Sequence, residues 1–338
     1  MPRSARRAAV AVLAASALAS SMTLTVDVAS AAQPDRGSTA SSHTGPPAWA
    51  KAKGKGQQGP PPHAAVHERR TPAAPAPEPE TPQPEESPGS EMTLVWKDDF
   101  SGPAGAGVDD RYWTEQTGGA GWGNDELQRY QDGARNAFLD GEGHLVIEAR
   151  PAEPGEAGTC WYGECRYTSA RLTTATKVSV SSGRVEARLK LPGGQGVWPA
   201  FWMLGDNIHT HGHPYSGEID IMELVGHEPH QVWSSVHGPG YTLAGLSKPF
   251  TLPNGASFSD AFHTFAVEWT ETGLAFSVDG EVYHRVDRSD IGDHEWVFDK
   301  GMHILLNVAV GGPWAGEPAD DTPFPARMLV DHVAVYAR

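Results

Sequence analysis

The sequence predicts an all-β protein folded as a two-sheet antiparallel β-sandwich, a jelly roll. Short runs of β-branched and aromatic residues alternate with turn residues over roughly the last 250 positions. Long helical periodicity is nearly absent from this region. Its length is sufficient for one substantial hydrophobic core.

The individual strands are predicted from local patterns. Asp279 and Gly280 form a two-residue hairpin signal between two apolar runs. The run at 305–310 is apolar without strict alternation, which favours a strand buried on both faces. The other clear strands are predicted at 93–96, 145–149, 184–189, 265–269, 274–278 and 328–336.

Composition limits the function. The 338-residue chain carries a formal net charge of −16. This charge is a poor match for nucleic acid or an anionic membrane, so neither is expected as a partner. It also argues against a strongly anionic polymer as the substrate.

The N-terminal region predicts export. Residues 1–32 are typical of a signal peptide: a basic start, an apolar run and small residues before a cleavage point. A membrane anchor is disfavoured because the run is rich in Ala, Ser and Thr and ends at Asp27. Residues 33–90 are predicted to be a disordered Pro-rich linker, and residues 91–338 the folded domain. We therefore expect a secreted, extracellular protein that leaves the membrane after signal removal.

Two further groups raise the question of metal binding. Cys160 and Cys165 are the only cysteines, and in an exported chain they predict a small disulfide loop. The alternative is a pair of free or metal-binding thiols, although one pair makes a weak metal site. His209, His211 and His213 alternate along the chain and could bind Zn²⁺ or Cu²⁺, with a solvated loop as the alternative.

The strongest chemical signal is a row of acids. Glu218 and Asp220 alternate with apolar residues, so both lie on one face of a strand. A regular strand would turn Glu223 to the opposite face, and a β-bulge near Met222 would return it. Three aligned carboxylates repel one another, but they suit chemistry that needs an ionised and a protonated carboxyl side by side. The alternative is a solvated acidic strand.

A tryptophan-rich run that contains Trp198 and Trp202 precedes this row, and further tryptophans lie elsewhere in the domain. Their rings stack on the C–H patches of sugars, which favours a carbohydrate-binding cleft. We expect about half of them to line the cleft and the rest to lie in the core. They are Trp122, Trp198, Trp202 and Trp314.

Several stretches carry more specific motifs. They include GWGNDELQRY at 121–130, YTSARL at 167–172, WPAFW at 198–202, GEIDIME at 217–223, HGPGY at 237–241, GGPW at 311–314 and VDHV at 330–333. Together they resemble glycoside hydrolase family 16 and, within it, the bacterial endo-β-1,3-glucanases (laminarinases). The resemblance implies a concanavalin A-like jelly roll with a concave open cleft, retaining hydrolysis and no cofactor for catalysis.

The resemblance also implies roles for the acids. Glu218 matches the nucleophile, Asp220 the assisting carboxylate and Glu223 the acid/base. With Met222 the motif has its longer form, which in the family goes with laminarinases and some agar- and carrageenan-cleaving enzymes. We expect β-1,3-glucan as the substrate and mixed-linkage β-1,3-1,4-glucan as a second one. The alternatives are an agarase- or carrageenase-type enzyme and a non-catalytic β-glucan-binding module.

Other implied assignments concern binding. A structural Ca²⁺ would be held by Asp331 with main-chain oxygens near Gly143 and Asp99. Glu126 is either a cleft residue or a buried, hydrogen-bonded acid. The protein is expected to be a monomer. The residues implied to contact sugar near the cleavage point are Asn124, Arg171, Trp198, Trp202 and His237, with Trp122 and Trp314 beside them.

Overall fold

Strands make up most of the chain that the computed structural model describes, residues 92–241 and 246–338. The predicted signal peptide at 1–32 and linker at 33–90 lie outside the described residues. The strands are β1 (Thr93–Asp98), β2 (Thr114–Gln116), β3 (Gln128–Tyr130), β4 (Ala137–Leu139), β5 (Leu145–Pro151), β6 (Thr159–Cys160), β7 (Gly163–Glu164), β8 (Tyr167–Ser169), β9 (Arg171–Thr173), β10 (Gly183–Lys190), β11 (Val197–Gly205), β12 (Glu218–Glu223), β13 (Gln231–His237), β14 (Ser247–Thr251), β15 (His263–Trp269), β16 (Gly273–Val278), β17 (Glu281–Asp287), β18 (Met302–Val310) and β19 (Ala326–Ala337).

Helices are short within the described ranges. They are α1 (Ile208–His211), α2 (Gly312–Ala315) and the 3₁₀ turns Pro253–Gly255 and Arg288–Ile291. No described helix has the length and apolar character needed to cross a bilayer.

Two large sheets form the sandwich of the jelly roll. The ten-stranded sheet has the order β17-β16-β15-β10-β19-β5-β8-β3, with β1 paired to β19 and β4 to β5. The seven-stranded sheet has the order β14-β13-β12-β11-β18-β9-β2, and β6 and β7 form a separate hairpin. The predicted antiparallel arrangement is confirmed except for β3 and β8, which pair in parallel.

The core lies between the two large sheets. On β10, Val185, Ala187 and Leu189 are buried while the charged residues between them keep partial exposure. Every residue of β18 is buried, as the mainly apolar run at 305–310 predicted. Side chains from both sheets, including Phe201 of β11, join in one continuous cluster. Full burial of each large apolar side chain contributes about 1.5–3 kcal/mol.

The predicted hairpin is also present. Asp279 and Gly280 connect β16 to β17, and both have positive φ, 50° and 85°. A tight hairpin turn of this hand requires positive φ at both positions, which Asp tolerates and Gly adopts freely. The Asp279 carboxylate additionally accepts a hydrogen bond from the backbone N–H of Thr264 at 2.8 Å.

Candidate active site

The acid row, defined as Glu218, Asp220 and Glu223, lies on β12, which contains a bulge. Asp220 and Met222 pair with consecutive residues of β11, so Ile221 is the additional residue. The register with β13 also shifts between Asp220 and Glu223. Ile221 and Met222 are both buried in the core, and Glu223 returns to the face of the other two acids. The bulge predicted near Met222 is confirmed.

Two histidines contact the first part of the row. Nε2 of His237 lies 3.1 Å from Oδ2 of Asp220 and 3.7 Å from Oε1 of Glu218. Nε2 of His213 lies 3.5 Å from Oε2 of Glu218. His237 belongs to β13, directly opposite Glu218. His213 was not predicted as a site residue, because it reaches Glu218 from the loop that precedes β12.

Glu223 has a different environment. Nε1 of Trp198 donates a hydrogen bond to Oε1 of Glu223 at 3.0 Å. Trp198 lies on β11, where Ala200 pairs with Glu223. The indole is a neutral donor, whereas Glu218 faces two imidazole rings, so the two glutamates have unlike neighbours.

Burial dominates the electrostatics of the row. It raises the pKa of Glu218 well above its usual value, with further repulsion from Asp220. Burial also raises the pKa of Asp220 to about 8. For Glu223, burial and then repulsion from Asp220 raise the pKa to about 8, against the hydrogen bond from Trp198. The row therefore retains protons at neutral pH, and because the acids interact, their titration belongs to the group.

The buried Arg171 lies close enough to the acid row to influence which carboxyl carries its negative charge. His237 and the Arg171 guanidinium oppose the rise in the pKa of Glu218 but do not cancel it. Arg171 lies between the rings of Trp122 and Trp202, 4.7 and 4.6 Å from their centroids. These rings hold the guanidinium in place and desolvate it, which strengthens its effect on the nearby carboxylate.

The other predicted tryptophans stand beside Glu223. The ring of Trp314 packs edge-on against Trp198, with centroids 5.1 Å apart. Trp233 of β13, which was not predicted, contacts Trp314 in the same manner at 6.5 Å. All four predicted tryptophans keep partial exposure. How many of them line a sugar-binding cleft stays a prediction.

Glu126 is a buried, hydrogen-bonded acid, the second of the two alternatives. Its Oε2 accepts hydrogen bonds from Nε2 of Gln128 at 2.6 Å and from the Tyr130 hydroxyl at 3.2 Å. Its Oε1 accepts one from Nδ2 of Asn124 at 3.2 Å. Burial raises the pKa of Glu126 despite these donors. Asn124 is thus tied to Glu126 at the edge of the site.

Asn307 extends this network to Trp202. Its Nδ2 donates to the Tyr130 hydroxyl at 3.2 Å, and its Oδ1 accepts from Nε1 of Trp202 at 2.7 Å. Asn307 was not predicted, although a single amide within the apolar run of β18 was a usable signal. Nε of Arg171 similarly donates to Oε1 of Gln116 at 2.7 Å, another residue that was missed.

Metal binding was considered for the three alternating histidines and for the two cysteines. Among the described residues, the one group of at least three His, Cys, Asp or Glu side chains close enough for a shared ion is Glu218, Asp220 and His237, with ligand atoms within 4.8 Å of one another. His209 and His211 are exposed on α1, so the three alternating histidines do not form a metal site. Cys160 and Cys165 form the predicted disulfide rather than a thiol site.

Calcium binding by Asp331 does not fit the contacts. Its Oδ1 lies 2.8 Å from Nδ1 of His332, and its Oδ2 accepts a hydrogen bond from Arg188. Both carboxylate oxygens therefore already have positive or donating partners.

Buried carboxyls with unlike neighbours, set among partly exposed indole rings, define an enzyme that cleaves glycosidic bonds. One acid can be ionised while another keeps its proton, and the rings offer stacking faces to a sugar. Comparison with known proteins assigns this enzyme to a family.

The chain belongs to the glycosyl hydrolases family 16, whose model matches residues 129–327. It is 41% identical over 254 residues to the β-glucanase of Rhodothermus marinus, a match that covers 72% of this chain and 84% of the relative. It is 32% identical to glucan endo-1,3-β-glucosidase A1 of Niallia circulans over 72% of this chain, but only 38% of that protein. The endo-β-1,3-glucanase structure from Pyrococcus furiosus gives a TM-score of 0.67 at 45% identity, over 74% of this chain and 96% of that one.

Proposed function

We propose that this glycoside hydrolase is an endo-acting β-1,3-glucanase that works by retaining double displacement, with mixed-linkage β-1,3-1,4-glucan as a second substrate. The observation that carries the proposal is the bulge in β12, which places Glu223 on the face of Glu218. The named activities of the Rhodothermus marinus and Niallia circulans relatives support the choice of glucan. A binding module without turnover has no need for two such acids.

In the first step, the Glu218 carboxylate attacks the anomeric carbon of the sugar. Glu223 gives its proton to the glycosidic oxygen, so that the bond from carbon to oxygen breaks and the leaving chain departs as an alcohol. The product is a glycosyl ester on Glu218. The raised pKa of Glu223, about 8, keeps this proton available at neutral pH.

In the second step, Glu223, now a carboxylate, removes a proton from water. The water oxygen attacks the anomeric carbon and Glu218 leaves as a carboxylate. Two displacements at the same carbon retain its configuration, and Glu223 ends the cycle protonated. Both glutamates are thereby regenerated.

Asp220 and Arg171 assist these steps without forming bonds to the sugar. His237 and Arg171 oppose the rise in the pKa of Glu218, which moves the negative charge shared by the acid row toward the nucleophile. Asp220 lies between the two glutamates on the strand, and its own raised pKa lets it hold a proton that would otherwise neutralise Glu218. We therefore assign Asp220 the sharing of protons within the acid row.

Substrate choice follows from charge and aromatic surface. The net charge of −16 disfavours sulfated galactans, and the indole rings suit neutral glucose units. A product profile on laminarin, lichenan, agarose and carrageenan tests this choice. Release of reducing ends mainly from agarose or carrageenan would contradict it.

We further propose that the enzyme is exported and acts outside the cell as a monomer. Support comes from the signal-like residues 1–32 and from the disulfide between Cys160 and Cys165, since disulfides persist in oxidising compartments. Detection of the processed protein in culture medium, starting near residue 33, tests export.

Chemical rescue tests the two catalytic roles. Glu218→Gly and Glu223→Gly are each expected to lose activity on laminarin by orders of magnitude. With a dinitrophenyl β-glucoside substrate and azide, Glu223→Gly should give the β-glycosyl azide, because Glu218 still forms the ester. Glu218→Gly should give the α-glycosyl azide, because azide then attacks directly. The opposite pair of products would exchange the two assignments.

A further inference from the structure

The disulfide loop, residues 160–165, carries an aromatic ring that the catalytic cycle does not use. Trp161 is 52% exposed, which makes it one of four large hydrophobic residues that are exposed in the described chain. Within the described residues, the other tryptophans outside the site, such as Trp113 and Trp269, are buried in the core. Single exposed apolar residues are common on protein surfaces, so exposure alone assigns no role to Trp161, and the contacts of its ring decide.

The ring is held rigidly rather than left loose. Nε1 of Trp161 donates to the backbone oxygen of Glu126 at 2.8 Å, and its backbone N–H donates to that of Gly119 at 2.9 Å. Tyr162 packs edge-on against it, with centroids 5.4 Å apart. The Tyr162 hydroxyl donates in turn to the backbone oxygen of Leu127 at 2.6 Å. These contacts fix the indole edge and leave ring surface exposed.

Two glycines make room for this loop. A Cβ at Gly119 would lie 2.5 Å from Sγ of Cys160. A Cβ at Gly121 would lie 3.1 Å from Cδ1 of Trp161, and the φ of +80° at Gly121 also favours glycine. The segment that seats the disulfide loop is therefore shaped to receive both its cysteine and its indole.

The same segment borders the active site. Trp122, next to Gly121, contacts the Arg171 guanidinium that acts on Glu218. Asn124 continues the segment, and its backbone oxygen lies close to Gly312 beside Trp198. Trp161 thus packs against the segment that carries Trp122 and Asn124.

We propose that Trp161 is an outer sugar-stacking platform of the substrate-binding face, held by the disulfide loop, for a glucosyl unit away from the bond that is cleaved. The inference rests on the proposed β-1,3-glucanase function. An exposed indole with a fixed edge provides an apolar face for sugar C–H groups, and its rigidity lowers the entropy lost on binding. The platform favours long substrates over short ones.

The experiment measures binding without turnover. Glu218→Gln protein is titrated with laminaritriose and laminarihexaose by calorimetry, alone and with Trp161→Ala or Trp161→Phe added. Trp161→Ala is expected to weaken hexaose binding about tenfold and triose binding less than about twofold. Trp161→Phe keeps an apolar ring, so its hexaose affinity should fall between the two, and it also serves if Trp161→Ala folds poorly.

Val282→Ala is the matched control, because Val282 is also exposed but lies on β17 of the ten-stranded sheet. It should leave both affinities unchanged. Unchanged hexaose affinity in Trp161→Ala and Trp161→Phe, or equal weakening for both ligands, would overturn the platform. If the Glu218→Gln parent binds neither oligosaccharide, the proposed function itself fails.

Discussion

Glu218 and Glu223 are chemically identical residues that differ only in their surroundings. Glu218 faces His213, His237 and the field of Arg171, whereas Glu223 receives a hydrogen bond from an indole. Both are only partly exposed, so differences in neighbouring charge decide which one is ionised first. A division of labour between nucleophile and acid is thus encoded in side chains from neighbouring strands and loops.

The alkaline limb of activity should report the proton of Glu223. Because its pKa is raised to about 8, kcat/KM on laminarin is expected to fall as pH rises above that value. Glu223→Gln should lower kcat on laminarin by about 10²–10⁴-fold. Dinitrophenolate leaves without protonation, so a dinitrophenyl glucoside needs no acid. With this substrate, the rate of the first step in the variant should no longer fall at high pH. Persistence of that limb in single-turnover measurements would assign it to another group.

The sequence predicted the residues that carry local periodicity. Glu218 and Asp220 follow from alternation along one strand, and Met222 from the extra position before Glu223. His213 and Asn307 could not be placed in the same way, because their contacts join positions far apart in the chain or cross a loop. Their function depends on strand order, which periodicity does not contain.

At the level of elements, the bulge in β12 returns Glu223 to the face of the sheet that carries Glu218 and Asp220. Without Met222, the next acid would fall two positions after Asp220, and a regular strand would keep it on the same face. Without Ile219, Glu218 and Asp220 would become neighbours and point to opposite faces. Both residues are buried and apolar, so the two deletions form a matched pair.

We predict that deletion of Met222 leaves measurable activity on laminarin, whereas deletion of Ile219 removes it. Each deletion costs about 2–5 kcal/mol of core packing, so folding is checked by circular dichroism and thermal melting. If both deletion variants fold and lose activity equally, the prediction is wrong, and the bulge has a role beyond aligning the acids.

A second prediction concerns the hydrogen bonds that link Glu126 to Trp202 through Tyr130 and Asn307. Tyr130→Phe removes the hydroxyl that donates to Glu126 and accepts from Asn307. It is expected to destabilise the protein by about 1–3 kcal/mol and to raise KM more than it lowers kcat, because Trp202 loses its fixed partner. Tyr336→Phe, which loses a bond to Glu186 on the ten-stranded sheet, is the control and should leave KM unchanged.

For the whole molecule, strand order creates the site. In the seven-stranded sheet β18 lies between β11 and β9, so Asn307 arrives beside Trp202 although the two are 105 positions apart. The all-β class and most strands were predictable from local patterns. This order was not, nor was the parallel pairing of β3 with β8, because long-range pairing is decided by the packing of complete sheets.

The buried acids also make stability depend on pH. Their pKa values are raised on folding, so between about pH 4 and about pH 8 the native state binds more protons than the unfolded state. Stability therefore falls as pH rises through this window. His284 acts oppositely: burial lowers its pKa to about 4, so its contribution is lost as pH falls below about 6.5.

These opposing trends predict greatest stability in mildly acidic solution. The free energy of unfolding in urea should be lower at about pH 8.5 than at about pH 6. The double variant Glu218→Gln, Asp220→Asn should flatten this slope and exceed the wild type at the higher pH by about 1–3 kcal/mol. Glu281→Gln, an exposed carboxylate on β17, is the control and should keep the wild-type slope. A double variant that is less stable than the wild type at the higher pH would show that the acid row stabilises the fold, contrary to its assignment as a catalytic site maintained at a cost in stability.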